Sequence, residues 1–109
     1  MEKRNIIVKI ISKENPYKYE GKAQLNKDLI TFDDQEYHNI YDFKTNRLIR
    51  EKKDYQLVID YDSEEISLKT KEVNINFKFE VIKKKSKIID IDISYKIKED
   101  LIRLVIKEV

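Results

Sequence analysis

The clearest pattern in the chain lies within residues 87–98, where apolar and polar side chains alternate strictly from residue 89 onward. The apolar members are Ile89, Ile91, Ile93, Tyr95 and Ile97. A period of two places all of these side chains on one face of an extended strand, whereas a helix would spread them around its circumference. The segment is therefore predicted to be a strand with one face in a core and the other in water.

Similar alternation along the rest of the chain predicts a series of strands. Residues 6–11 are apolar on nearly both faces and are expected to lie centrally in a sheet. Residues 47–53 are mostly charged, which is typical of an edge strand. Gly21 is expected to mark a bulge or a bend. The other predicted strands are residues 17–25, 29–32, 37–44, 55–62, 66–70, 73–81, 89–97 and 102–106.

In each strand the inward-facing residues have either odd or even numbers, and this parity constrains the turns. The reason is that residues directly opposite each other in an antiparallel pair share a face. A change of parity between strands needs a loop with an even number of residues. Lys71-Glu72 can form such a loop and would pair Glu65 with Lys78. Glu99-Asp100 can form another, which would pair Ile97 with Ile102 and Asp92 with Lys107. Four-residue loops remain an alternative at both places.

The inward residues have odd numbers both at Phe79 and at Ile89. This predicts a loop with an odd number of residues, centred in residues 83–86. The same parity places Val73, Ile75 and Phe77 on the inward face. With one glycine in the chain, other residues must adopt positive φ angles in the turns. Those expected to do so are Asn26, Asn46, Asp54 and Ser63.

No segment has helical periodicity, and turn signals separate short alternating strands throughout. We therefore predict one all-β domain over residues 1–109, an antiparallel up-and-down meander of about eight strands that closes into a barrel. A β-sandwich is the alternative, because both folds have the same pattern along a single chain. We identify no internal repeat.

Composition limits the function classes. Charged residues make up 40% of the chain, yet 23 basic and 21 acidic residues leave a net charge of +2, which gives no long-range field to attract nucleic acid or an anionic membrane. The absence of Cys excludes disulfides and thiolate zinc sites. Residues 5–11 are too short and too interrupted by Lys9 for a signal sequence or a membrane span, so a cytoplasmic location is predicted. The excess of Lys and Ile over Ala and Gly indicates an AT-rich genome, such as that of a low-GC bacterium.

The order of several segments resembles the YwiB-like family of small calycin-like, or lipocalin-like, β-barrels. The resemblance rests on residues 47–50, followed by a Tyr-rich strand, then residues 66–70, 89–97 and 104–106. Two positions depart from the family pattern: Glu51 stands where the family has Gly, and the connection before Leu68 lacks a Gly. The resemblance implies a calycin-like barrel and supplies no active site, since the family has no established function.

Candidate chemistry is sparse. His38 is the only histidine, and a surface role is favoured because no second His, Cys or nearby Ser completes a zinc set or a triad. The acidic pairs are Asp33 with Asp34, Asp60 with Asp62, and Asp90 with Asp92. The last two have a spacing of about 7 Å along a strand, which resembles that of glycosidase carboxylates or of a hard-cation site. Solvated faces and turn chemistry explain the three pairs better. We predict no catalytic residue, metal or cofactor, and no enzyme activity.

Two features remain as binding hypotheses. Lys83, Lys84, Lys85 and Lys87 form the densest basic run, expected at a hairpin tip, which could contact single-stranded RNA although nucleic acid is disfavoured. Tyrosines fall on the inward parity, and those that could line a barrel mouth for a small amphipathic ligand are Tyr37, Tyr41, Tyr61 and Tyr95. A core filled by these side chains is favoured over a hollow one. The leading prediction is a non-enzymatic protein that acts through its surface or by self-association.

Overall fold

The computed structural model describes all 109 residues, which form eleven strands. The alternating segments identified in the sequence account for most of these strands, because each such segment places one apolar row on a common face. The structure contains no helix that is long and apolar enough to cross a membrane. The strands are β1 (Glu2–Ile11), β2 (Tyr17–Asn26), β3 (Leu29–Asp33), β4 (His38–Asp42), β5 (Arg47–Lys52), β6 (Tyr55–Asp60), β7 (Glu65–Thr70), β8 (Asn74–Lys78), β9 (Glu80–Lys87), β10 (Asp90–Ile97) and β11 (Asp100–Glu108).

The strands form one antiparallel sheet in the order β8-β7-β6-β5-β4-β3-β2-β1-β11-β10-β9. The first strand pairs with both β2 and the last strand, β11, so the two ends of the chain meet within the sheet. The sheet curls into a nearly closed barrel. The predicted all-β antiparallel meander is confirmed, and so is the central position of β1. The expected number of about eight strands is wrong, because nearly all the alternating segments form separate strands and the segment over residues 73–81 is divided at Phe79 into two.

The barrel is incomplete at one seam, between the edge strands β8 and β9. These strands are consecutive in the chain, and Phe79 alone separates them. Residues before Phe79 pair with β7, and residues after it pair with β10. The amide of Phe79 donates to the carbonyl of Glu64 at 3.1 Å, and the amide of Val81 donates to a carboxylate oxygen of Glu64 at 2.8 Å. One extended segment therefore crosses the seam and is fastened to the β6–β7 turn where it changes partners.

Three turns at one end of the barrel share a backbone contact that recurs every 18 residues. The amides of Phe43, Tyr61 and Phe79 donate to carbonyls of Asp28, Asn46 and Glu64, respectively, at 2.8–3.1 Å. Each donor is a buried aromatic residue directly after a strand. Consecutive hairpins are thus linked at their ends as well as along their strands. No internal repeat was identified in the sequence, yet this backbone contact recurs at a fixed spacing of 18 residues.

The core is a packed cluster of side chains from most of the strands. Ile6, Ile30, Ile91 and Leu104 are fully buried, as the alternation predicted for the strands that carry them. Tyr61 packs edge-on against Tyr95 and Phe79, with ring centroids 5.1 and 5.8 Å apart. Bulky side chains therefore fill the interior, as aromatic pairs and β-branched residues do in small barrels.

The predicted burial of the inward row on β8 is wrong. Val73, Ile75 and Phe77 are 39%, 47% and 40% exposed. Their pairing is nevertheless as predicted, since Glu65 lies opposite Lys78 and the Thr70 amide donates to the Val73 carbonyl. These side chains lie on the expected face, but β8 is a free edge and no layer covers that face beside it. Alternation thus identified the face correctly and could not show whether it was covered.

The loop predicted within residues 83–86 is also wrong, because β9 continues as a strand to Lys87. The hairpin turns at Ile88 and Ile89 instead. Ile89 has a φ of 50°, an unusual angle for a β-branched residue, yet its side chain is buried. Anchoring of this side chain in the core explains why an isoleucine is placed at the turn.

The β10–β11 turn consists of two residues, as parity requires, but they are Lys98 and Glu99 rather than Glu99 and Asp100. The pairing is therefore shifted by two positions. Ile97 lies opposite Asp100, and Asp92 lies opposite Val105. A shift of two conserves the face of every side chain, so alternation cannot detect it.

The remaining differences concern local backbone. β5 is not an edge strand but lies between β4 and β6. Gly21 marks no bulge, since β1 and β2 pair without interruption; it leaves room for the ring of Tyr19, which packs over it. Positive φ angles occur at Asn46 and Asp54 as predicted, and at Lys27 and Glu64 instead of Asn26 and Ser63. Ile89 and Lys98 complete this set.

Candidate functional site

The four tyrosines of the ligand hypothesis lie in two different environments. Tyr41, Tyr61 and Tyr95 belong to the packed core and are at most 2% exposed. The hydroxyl groups of Tyr41 and Tyr61 are buried and make no hydrogen bond. Tyr37 lies apart from them, at the end of the barrel where the β3–β4 turn meets β5 and β6. The structure therefore does not bring the four side chains together around one mouth.

Tyr37 instead belongs to a cluster around an inward-pointing arginine, here called the Arg50 cluster: Tyr17, Asp34, Tyr37, Asn39 and Arg50. The guanidinium carbon of Arg50 lies 4.6 Å from the ring centroid of Tyr17 and 4.4 Å from that of Tyr37. Both distances are typical of cation–π contacts. Arg50 Nε donates to Asn39 Oδ1 at 2.9 Å, and a terminal nitrogen of Arg50 donates to Asp34 Oδ2 at 3.2 Å.

Asp34 is the anionic centre of the Arg50 cluster and is largely buried. One oxygen accepts hydrogen bonds from the Tyr17 hydroxyl at 2.5 Å and from Asn39 Nδ2 at 3.1 Å. The other accepts from the amides of Glu36 and Tyr37. Burial raises the pKa of the Asp34 carboxyl, but these hydrogen bonds outweigh burial and hold the pKa well below its ordinary value. Burial and the adjacent Asp34 raise the pKa of Tyr17.

The Arg50 cluster borders an open surface pocket of about 910 Å³ between the β1–β2 and β3–β4 connections. Most of the side-chain hydrogen bonds of the cluster are made between its own members. The sequence did contain a signal for it. Leu48 is inward on β5, and Arg50 has the same parity, which places its side chain inward too.

The four lysines of the RNA hypothesis lie along β9 rather than at a hairpin tip. Lys84 contacts Asp62 at 2.5 Å, and Lys85 contacts Asp90 at 3.1 Å. Lys83 and Lys87 have no ion-pair partner. The row therefore combines two neutralised and two free ammonium groups on one strand.

Two of the acidic pairs named in the sequence are Asp60 with Asp62 and Asp90 with Asp92. All four of these carboxylates form ion pairs. Asp92 forms a bidentate contact with Arg103 at 2.8 and 2.6 Å, and Asp90 contacts Lys107 and Lys85. The hydrogen bonds from these cations lower the pKa of both carboxyls. The predicted Asp92–Lys107 contact is replaced because the register differs by two positions.

Asp60 and Asp62 are engaged at the β6–β7 turn. Burial raises the pKa of Asp60, but the Ser63 amide and Arg47 outweigh it, and Lys84 lowers the pKa of Asp62. A general acid at neutral pH needs a raised pKa, so neither carboxyl suits that role. No group of three or more His, Cys, Asp or Glu side chains is arranged to hold a metal ion. His38 lies at the surface with Nδ1 2.6 Å from Asp33.

The backbone amides and carbonyls on one side of β8 have no hydrogen-bonding partner within the molecule. The contacts of Thr70 with Val73 and of Glu64 with Phe79 fix the hydrogen-bonded pairs of the ladder. Because such pairs alternate in an antiparallel ladder, the amides and carbonyls of Ile75 and Phe77 face β7. Those of Asn74, Asn76 and Lys78 face outward. This outward row of donors and acceptors is called the β8 edge below, and every residue of β8 is exposed.

The two free edges of the sheet differ in their protection. The β9 edge runs beside the turns of neighbouring hairpins, which contribute the Glu64 carboxylate to Val81, Asp62 to Lys84, and Asn46 to Ser86. Lysines occupy half of its positions. The β8 edge has one lysine and no turn against it. Charge and coverage are the usual means by which proteins prevent strand pairing at an edge, and β8 has little of either.

Comparison of the chain with protein-family models, with curated proteins and with solved structures finds no match.

Proposed function

We propose that the protein is a non-enzymatic, cytoplasmic binding module that acts by strand addition at the β8 edge. The observation that carries this proposal is the unprotected backbone of Asn74, Asn76 and Lys78 beside the exposed apolar row of Val73, Ile75 and Phe77. In strand addition, main-chain hydrogen bonds supply affinity, and alternate side chains supply specificity. The β8 edge offers both kinds of contact along one five-residue strand.

The alternatives have weaker support from the contacts. A small-ligand site would need an accessible pocket lined by the tyrosines, but three of the four fill the core. An RNA site would need free cations beside exposed aromatic rings. Two of the four lysines are paired with carboxylates, and no aromatic residue lies among them on β9.

The finer fold assignment belongs with this proposal. A calycin-like barrel related to the YwiB-like family agrees with the meander and with the pairing of β1 and β11. In that fold the seam between β8 and β9 is a specific opening in an otherwise continuous wall, which gives strand addition a single place to occur.

The proposal is tested with a synthetic peptide of residues 71–79, titrated into the ¹⁵N-labelled protein and followed by NMR. We expect the largest shift changes at the amides of Asn74, Asn76 and Lys78, since these face outward. The control protein is Asn76→Pro, which removes an outward donor without removing a bond to β7. This variant should fold normally and bind the peptide at least about tenfold more weakly, because one main-chain bond is lost and the proline ring projects from the edge where the peptide would pair.

Absence of shift changes on β8 at millimolar peptide, with the protein monomeric under the conditions of the titration, would refute strand addition. Equal binding by Asn76→Pro would refute it too, because the peptide would then be using another surface.

A further inference from the structure

We propose that the β8 edge pairs with the β8 edge of a second copy of this chain, antiparallel and about a two-fold axis at Ile75. This rests on the proposed function and adds the identity of the partner. Pairing of identical edges generates a symmetric, closed dimer in which the same patch is buried on both copies. The inference follows from the backbone of β8, which restricts the register, and from its side chains, which select one register.

The backbone permits only some registers. Outward-facing amides and carbonyls belong to even-numbered residues, so a ladder between two copies must place even residues opposite even residues. Two-fold axes at Asn74, Ile75 or Asn76 meet this condition near the middle of the strand. All three place Ile75 on the same face in both copies.

The side chains distinguish these registers. With the axis at Ile75, Lys78 of each copy lies opposite position 72 of the other, which is Glu72 in the β7–β8 turn. This arrangement forms two cross-strand pairs of opposite charge. An axis at Asn76 would place Glu72 opposite Glu80, and an axis at Asn74 would place Glu72 opposite Asn76. Only the axis at Ile75 therefore brings opposite charges together.

The same register also matches the apolar row. Ile75 lies opposite Ile75, and Val73 lies opposite Phe77, so three partly exposed side chains per copy cover one another. On the other face, Asn74 lies opposite Asn76, and amide side chains at these positions can exchange hydrogen bonds. Lys78 contacts Glu65 within its own copy at 3.3 Å, but both side chains are well exposed and free to include Glu72.

Cross-linking gives a direct test of the register, because the chain contains no cysteine. An axis at Ile75 places the two Ile75 Cα atoms in a non-hydrogen-bonded pair about 4.5 Å apart, within the range that a disulfide spans. Ile75→Cys should therefore form a covalent dimer in a glutathione redox buffer. Ile82→Cys, at an exposed position on the β9 edge, is the control for random collision, and we expect it to cross-link at least about ten times more slowly.

Charge reversal tests the same register without a covalent bond. Lys78→Glu and Glu72→Lys should each weaken the dimer about tenfold in sedimentation equilibrium, because two attractive pairs become repulsive. The double variant should restore the dimer to within about threefold of the original. Since Lys78→Glu also loses its contact with Glu65, circular dichroism must show that each variant is folded.

The outcomes separate this inference from the proposed function. Peptide binding at β8 with a monomeric protein at about 1 mM would overturn self-pairing and leave strand addition standing. Faster cross-linking of Asn74→Cys or Asn76→Cys than of Ile75→Cys would overturn the register. Failure of both peptide binding and dimerisation would overturn the two proposals together.

Discussion

Removing the hydroxyl group of Tyr17 tests how strongly the Arg50 cluster stabilises the barrel. In Tyr17→Phe, Asp34 loses a hydrogen bond of 2.5 Å but keeps those from Asn39 and Arg50. A hydrogen bond to a charged group contributes about 1.5–3 kcal/mol, and the retained partners favour the low end of this range. We expect the free energy of unfolding to fall by about 1.5 kcal/mol, and Tm by about 6 °C in a domain of this size.

Tyr61→Phe is the matched control, because it makes the same chemical change at a hydroxyl group that has no partner. Tyr61 is almost fully buried, and its hydroxyl makes no hydrogen bond. This group loses its contact with water on folding and gains in return at most a long polar contact with the Tyr95 hydroxyl. Tyr61→Phe should therefore be neutral or should raise the free energy of unfolding by up to about 1 kcal/mol.

Urea unfolding at pH 7, followed by circular dichroism, gives the free energy of unfolding for both variants and the unmodified protein. The two substitutions should have different effects, and the slopes with urea should agree, since neither changes the surface exposed on unfolding. Equal destabilisation by the two variants would refute the hydrogen-bond assignments. A stabilised Tyr17→Phe would refute the role of the Arg50 cluster.

Three further substitutions test other parts of the structure. Asp34 has a lowered pKa, so the stability it contributes is complete above its ordinary pKa of 3.8 and is lost as pH falls through its pKa in the folded protein. Asp34→Asn should therefore make the free energy of unfolding fall less steeply in acid, as measured by urea unfolding between pH 5 and pH 2. Lys98→Gly should stabilise the protein by about 0.5–1 kcal/mol because Lys98 has a φ of 56°. Lys96→Gly in the adjacent strand should destabilise the protein by a similar amount. A lower Tm for Lys98→Gly than for Lys96→Gly in thermal melts would contradict the turn assignment. Gly21→Ala places a Cβ 2.8 Å from the Tyr19 hydroxyl oxygen, so it should displace that ring and break its hydrogen bond to the Lys22 carbonyl. This loss of about 1 kcal/mol offsets the gain of about 0.5–1 kcal/mol from replacing a strand glycine, so the free energy of unfolding should not rise; a clear rise in urea unfolding would show that the ring does not hold this position.

Alternation predicted most of the strands and the faces of their side chains because a core-facing row has a simple physical requirement. Ile91, Ile93 and Leu104 are buried for that reason. The shifted β10–β11 register shows the limit of the method. A displacement of two residues moves Asp92 from Lys107 to Val105 without changing any face, so only cross-strand contacts can settle it.

The seam could not be predicted from the pattern because it depends on coverage. Phe77 and Phe79 have the same parity and the same chemistry. Phe79 is buried beside Tyr61 and Tyr95, whereas Phe77 is exposed on the edge strand. The two residues differ in burial because the chain changes its pairing partner from β7 to β10 at Phe79. That change depends on how the sheet closes and not on either residue.

The Arg50 cluster could be predicted from the sequence only in part. The parity of Leu48 was sufficient to place Arg50 inward, and Asn39 has the same parity as the buried Tyr41 on β4. The charged composition of β5 instead suggested an edge strand. An inward arginine is explained only once Asp34 and the two tyrosine rings are brought to it from other strands.

Amide hydrogen exchange on β8, measured residue by residue by NMR at low protein concentration, tests the open edge most directly. The amides of Ile75 and Phe77 face β7 and should exchange at least about 100-fold more slowly than unstructured amides, whereas those of Asn74, Asn76 and Lys78 should stay within about tenfold of them. Uniform protection along β8 would show that the edge is already paired, and uniform fast exchange would show that β8 is not part of the sheet.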